Sequence, residues 1–187
     1  MIGTLPRSLL VDEVEYPIET DFRNILTILI AFNDPDYTDN EKMYIAMRRL
    51  YRIDLNEMPQ EHLEAAMLQM KWFIDCGKEE EKGKISPRLI DWEQDEAILF
   101  PAINKIAGCE IRSLEYLHWW TFMGYFMEIE SGTFSTVLGI RQRKARSKKL
   151  EKWEQEFYRN NKQMCDIRKR YSAEEQAEID YWNKLLG

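Results

Sequence analysis

The sequence predicts a mainly α protein: a multi-helix, bundle-like domain with a short N-terminal β element and a C-terminal helical extension. Three observations predict it. Apolar residues recur at steps of three and four along most of the chain. Glycine and proline are scarce, at 8 and 6 of 187 residues. Two capping boxes, Thr38 with Glu41 and Ser172 with Glu175, mark helix starts.

The elements follow in order. Residues 9–18, LLVDEVEYPI, read as a strand pair or an extended arm anchored by Val11, Val14, Tyr16 and Ile18. Pro17 has no amide proton and cannot serve a central strand. Thr20 can cap the helix DFRNILTILIAF, in which Phe22, Ile25, Leu26, Leu29 and Ile30 share a stripe, and Pro35 ends it. The Thr38–Glu41 box opens a second helix with Met43, Ala46, Met47 and Leu50 inward. Pro59 falls near the first turn of a third, whose stripe is Leu63, Ala66, Met67, Met70 and Phe73 or Ile74, closed by Gly77. KEEEKGK reads as a solvated loop. Ser86–Pro87 is a common helix start, and Trp92, Leu99, Ile103 and Ile106 share the stripe that follows. Pro101 inside that run predicts a kink or a break, and Gly108 closes it. An aromatic helix is expected from about Ser113 to Glu130, then a break at Ser131–Thr133 and a helix bearing Phe134, Val137, Leu138 and Ile140. Trp153, Phe157, Met164 and Ile167 form an amphipathic stripe, and Ser172 opens a last helix with Ile179, Trp182 and Leu186.

The composition shifts near 141–150, which suggests a helical body with its N-terminal β hairpin or arm over 1–145 and an amphipathic helical extension over 146–187. From Arg141 onward there are 13 basic and 8 acidic residues, against 13 basic and 25 acidic before it, within a net charge of −7. An acidic body with a basic tail suits contact with a charged partner or with a second copy of the chain. Cysteines 76, 109 and 165 are odd in number and form no CxxC, which fits a reducing compartment better than a disulfide scaffold. No basic leader with an apolar run and no membrane span is expected.

His62 and His118 are the only histidines and sit 56 residues apart, so no metal set with normal zinc spacing forms. His118 lacks a recognisable nucleophile nearby and reads as an imidazole hydrogen-bonded within a helical core. Trp119 and Trp120 point about 100° apart on a helix, so one is expected to anchor the core and the other to pack on a neighbouring helix or an interface. Asp91, Glu93, Asp95 and Glu96 cluster at a helix start and read as a solvated acidic turn favoured by the helix dipole. The basic run Arg141–Lys152 carries no aromatic or glycine interleaving typical of nucleic-acid modules, so an acidic protein surface suits it better.

Several stretches taken together carry a resemblance: YPIETDFR (Tyr16–Arg23), KWFIDCG (Lys71–Gly77), IDWEQDEAILFPAI (Ile90–Ile103), LHWWTF (Leu117–Phe122) and FSTVLGIR (Phe134–Arg141). In this order the chain resembles, over about residues 10–145, a family of tailed-bacteriophage proteins also found in prophages. The His-Trp-Trp and Asp-Phe-Arg elements are its most specific parts. Genes of that family usually lie among the tail genes near the tape-measure gene. The resemblance therefore implies a noncatalytic tail-assembly chaperone that binds the helical tape measure in the cytoplasm of the bacterial host and is absent from the mature virion. A structural virion subunit, such as a connector or tail-completion protein, is the second reading, and an enzyme the third. No catalytic residue, cofactor or metal is assigned. The candidate core or interaction residues are Phe22, Arg23, Trp92, His118, Trp119, Trp120, Phe122, Phe134 and Arg141. The expected partners are a phage tail protein and possible further copies of the chain, with no membrane and no nucleic acid.

Overall fold

The computed structural model describes residues 3–78 and 87–186, which form two compact units. Ser86 and most of the KEEEKGK loop lie outside the described residues. One unit comprises Arg7–Glu19, Arg23–Lys71 and Lys169–Gly187; the other comprises Met1–Pro6, Thr20–Phe22 and Trp72–Arg168. The protein is mainly α with an N-terminal two-stranded sheet, as the apolar periodicity predicts.

The first unit begins with an antiparallel hairpin of β1 (Ser8–Val11) and β2 (Val14–Pro17), with Leu9 opposite Tyr16 and Val11 opposite Val14. Asp12 and Glu13 form its two-residue turn with φ of +46° and +69°. Both central residues are left-handed, the type I′ geometry that matches strand twist. Leu9, Val11 and Tyr16 are buried, whereas Val14 shares their face but stands beside the turn and is exposed. Helix α1 spans Phe22–Phe32, α2 Asp39–Leu50 and α3 Leu63–Ile74. The capping box on α2 is formed in both directions: Glu41 N–H donates to Thr38 Oγ1 and Thr38 N–H to Glu41 Oε2. Those bonds hold the Glu41 carboxyl below its ordinary pKa. Tyr51 Oη donates to the Ala66 carbonyl at 2.8 Å from a buried position, and burial pushes its hydroxyl well above the usual phenol range.

Helix α9, Ala173–Leu186, closes this unit's sequence. Its capping box also forms, with Ser172 N–H donating to Glu175 Oε2 and Glu175 N–H to Ser172 Oγ. Asp36 accepts from the Ala173 amide at 2.7 Å. Beyond that anchor almost every side chain from Ala173 to Leu185 is exposed, and only Ile179 is half-buried.

The second unit contains α4 (Glu96–Ala107), α5 (Trp119–Met127), α6 (Thr133–Ala145), α7 (Lys152–Asn160) and α8 (Lys162–Cys165). Its core includes Phe22, Phe73, Leu99, Ile103, Trp119 and Phe122. A further cluster of Val137, Ile140 and Cys165, with Leu150 and Phe157 against it, carries the packing across the composition change at 141–150.

Four elements differ from the periodicity reading. Residues 87–91 are irregular, 92–95 form a turn, and α4 starts only at Glu96, because Asp91 and Asp95 organise that segment as a folded turn. The helix then runs unbroken through Pro101, which sits in its second turn. The aromatic helix starts at Trp119, not near Ser113, because Leu117 and His118 are extended and pair with residues 20–22. Thr20 does not cap α1; its hydroxyl is hydrogen-bonded to Tyr116 Oη at 2.6 Å. The stripe from Trp153 to Ile167 is divided at Asn161 into α7 and α8, with no helix over 166–172.

Candidate functional site

The two most specific stretches of the sequence meet within the second unit. Thr20–Phe22 runs antiparallel to Leu117–Trp119, with Phe22 N–H donating to the Leu117 carbonyl at 3.0 Å and Trp119 N–H to the Thr20 carbonyl at 2.7 Å. Asp21 Oδ2 accepts from the Leu117 amide at 3.1 Å. This pairing holds the backbone extended up to His118, which then caps α5.

His118 is buried at 3% exposure. Its Nδ1 accepts from the Trp120 amide at 3.0 Å, and its Nε2 lies 2.9 Å from the Pro6 carbonyl. A carbonyl can only accept and an amide can only donate, so the ring is the neutral tautomer protonated on Nε2. Both nitrogens are thereby committed: one satisfies an orphan amide of the first helical turn, the other tethers the segment at Pro6. A general base needs a free nitrogen within reach of a substrate proton, and neither is free in this arrangement.

Trp119 and Trp120 act as a pair. Trp119 Nε1 donates to the Ile74 carbonyl at 2.8 Å and Trp120 Nε1 to the Phe73 carbonyl at 2.9 Å. Those carbonyls belong to the last two residues of α3, where the helical ladder runs out, and the Phe73 carbonyl also accepts from the Cys76 amide at 3.1 Å. Adjacent tryptophans thus donate to consecutive carbonyls at the end of α3. The chain leaves α3 through Cys76 (φ +56°) and Gly77 (φ +77°). The left-handed φ favours glycine at Gly77, and a Cβ there would stand 3.2 Å from Trp120 Cη2, a tight approach to the indole. Burial pushes the Cys76 thiol up to about 11.

Around this junction the rings form one network. Phe122 stacks on Phe22 at 4.8 Å and on Trp119 at 5.4 Å. Trp92 meets Trp119 edge-on and reaches Phe126, which in turn meets Phe134. Each such pair adds roughly 0.5–1.5 kcal/mol beyond area burial. Phe22, Trp92, His118, Trp119, Trp120, Phe122 and Phe134 are therefore brought together. Arg23 is half-buried in the first turn of α1 and belongs to the other compact unit.

Arg141 forms a second node. It is 5% exposed, and Asp95 beside it is 1% exposed. Nη1 and Nη2 grip the two Asp95 oxygens at 2.6 and 2.8 Å. The remaining donors go to backbone: Nη1 to Leu89, Nη2 to Met164 and Nε to Cys165, at 2.7–3.0 Å. All five guanidinium N–H groups are satisfied, the condition under which a buried ion pair is tolerated. Asp95 Oδ2 also accepts from the Asp91 amide, while Asp91 takes the amides of Glu93 and Gln94 and an ion pair from Arg88. This corrects the reading of Asp91 and Asp95 as a solvated acidic turn. Both are buried, because a cation 46 residues further on neutralises one and backbone amides fill the other.

The basic run after Arg141 is partly neutralised inside the chain. Arg143 pairs with Glu151 and with the buried Glu154. Lys144 pairs with Asp166 and lies over the Tyr158 ring. Burial alone would lower the Lys144 pKa, but hydrogen bonds to Asp166 and Tyr158 raise it on balance; burial likewise opposes the lowering of Asp166, which the same bonds achieve. Beyond these pairs, a cleft of about 510 Å³ opens beside the start of α4 and along α7–α8, with Arg159, Lys162 and Arg168 among its walls. Among the described residues no group of three or more His, Cys, Asp or Glu is placed to hold a metal ion, and no helix is long and apolar enough to cross a membrane.

The sequence carries no signal for the roles of Pro6, Tyr116 and the Phe73 and Ile74 carbonyls, or for the burial of Asp95. Asp95 was visible only as one acid among four; nothing in local spacing links it to Arg141.

No curated protein and no solved structure matches the chain. A family described as Bacteriophage Gp15 protein matches residues 1–167. The match takes in the hairpin, α1–α8, the His118 junction and every group of the Arg141 node, and it stops short of α9. The chain thus belongs to the Bacteriophage Gp15 protein family.

Proposed function

We propose that this phage protein is a noncatalytic tail-assembly factor, a chaperone that covers the helical tape-measure protein before the tail tube polymerises. The observation that carries the reading is the division of labour among its rings. The interior aromatics and the one histidine beside them are fully engaged in holding the fold, while Trp72, Tyr116, Met127 and Trp153 present 37–55% of their surface to solvent in the same unit. Helices recognise helices through such apolar side chains. Methionine and rim aromatics adapt to a series of non-identical helical segments, which a long tape measure would present. The tail-gene setting implied by the sequence resemblance supplies the partner.

Co-purification of the full chain with successive tape-measure fragments tests the reading. Binding of several fragments is expected, weakened by Trp153→Ala with folding intact. A well-folded protein that binds no fragment overturns it. Purified virions separate the structural-subunit reading: an assembly chaperone is missing from them, whereas a connector or completion protein appears at fixed copy number.

A further inference from the structure

Helix α9 lies beyond the family match and carries a face with no cover. Tyr181, Trp182 and Leu185 are exposed at 61, 49 and 60%. Trp182 Nε1 donates to Glu178 of its own helix, at 3.4 Å, and the Tyr181 and Trp182 rings meet each other edge-on. Glu178 and Glu174 stand one and two turns before Trp182 on the same side. With Glu175 and Asp180, α9 holds four acids against the single base Lys184. It is an acidic helix with interleaved exposed rings, held at its N-terminus and wet along its length.

The cleft in the second unit has the opposite chemistry. Arg159, Lys162 and Arg168 line it, with no carboxylate among its lining residues. Neither guanidinium has a side-chain hydrogen bond among the described residues, and Asp166, which Lys162 attracts, is already held by Lys144 and Tyr158. Ile98 and Met164 contribute apolar walls. A space of about 510 Å³ is of the size that binding pockets occupy, roughly 300–1,000 Å³.

We infer that the α9 helix of a second copy of this chain docks in this cleft, with Trp182 against Ile98 and Met164 and the α9 acids facing Arg159, Lys162 and Arg168. Complementary charge fixes the approach and the register, and the indole supplies the anchor that desolvation rewards. The contact joins two different surfaces, so it is heterologous: it closes reciprocally in a dimer or runs on into a ring or chain.

Sedimentation of the full chain at low salt, from about 1 to about 200 µM, reads it. The mass is expected to rise with concentration. Arg159→Glu with Lys162→Glu, Glu174→Lys with Glu178→Lys, and Trp182→Ala are each expected to weaken association by about tenfold or more. The chain carrying all four charge reversals is expected to recover it, because opposite charges face each other again. A monomer throughout the range overturns the inference, as does an association that neither reversal changes or that the fourfold variant fails to recover. A monomer whose cleft variants lose a tape-measure fragment instead identifies a different occupant and equally overturns it.

Discussion

Two adjacent aromatic pairs, Trp119–Trp120 and Tyr181–Trp182, look alike in sequence and have opposite fates. The first sits at the start of α5, with both indole N–H groups on consecutive carbonyls of α3 and Trp119 only 1% exposed. The second sits mid-helix in α9, with its rings in solvent and its one N–H turned back on Glu178. The difference does not lie in the residues. It lies in whether a backbone acceptor waits at the right place, and at α5 it does because α3 ends there. Aromatic pairs in a helical protein therefore divide into those that complete a neighbour's hydrogen bonding and those that await something else.

The comparison can be broken at several levels. Arg141→Ala should do most damage to the interior, because it leaves the Asp95 charge buried and unpaired; a loss of about 3–5 kcal/mol is expected in chemical denaturation. Trp119→Phe keeps most of the ring but orphans the Ile74 carbonyl, and should cost about 1–3 kcal/mol in the same measurement. Trp182→Ala removes a comparable ring from α9 and should change stability by no more than about 0.5 kcal/mol at low protein concentration. A large loss there would show that α9 supports its own unit, which would erase the contrast.

What the sequence disclosed follows a physical rule. Signals confined to a few residues were legible: the Thr38–Glu41 and Ser172–Glu175 boxes and Gly77 after α3. Each depends on bonds made within one turn of chain. Signals that need a distant partner were not. Asp95 looks like any acid at a helix start until Arg141 is placed beside it. Thr20 is a fair cap by type, yet Tyr116 takes its hydroxyl. Leu117 and His118 carry helical neighbours on one side and still lie extended, because Thr20–Phe22 competes for their backbone. Among the candidate residues, the clustering of Phe22 with His118–Phe122 could be suspected only because two unusual stretches occurred in the same chain.

The Arg141 node also dictates an order of events during synthesis. Its acceptors come from Leu89, Asp95, Met164 and Cys165, so the ribosome must have released nearly the whole family-matched length before the guanidinium can be satisfied. Thr20 waits for Tyr116 across 96 residues, an interval of roughly 5–20 s at ~5–20 residues per second. During that interval Phe22 and Phe73 have no stacking neighbours from α5, and a nascent chain ending near residue 140 carries a carboxylate at Asp95 with no counter-ion. Closure of this unit around Arg141 is thus a late step, complete only once Cys165 has been made.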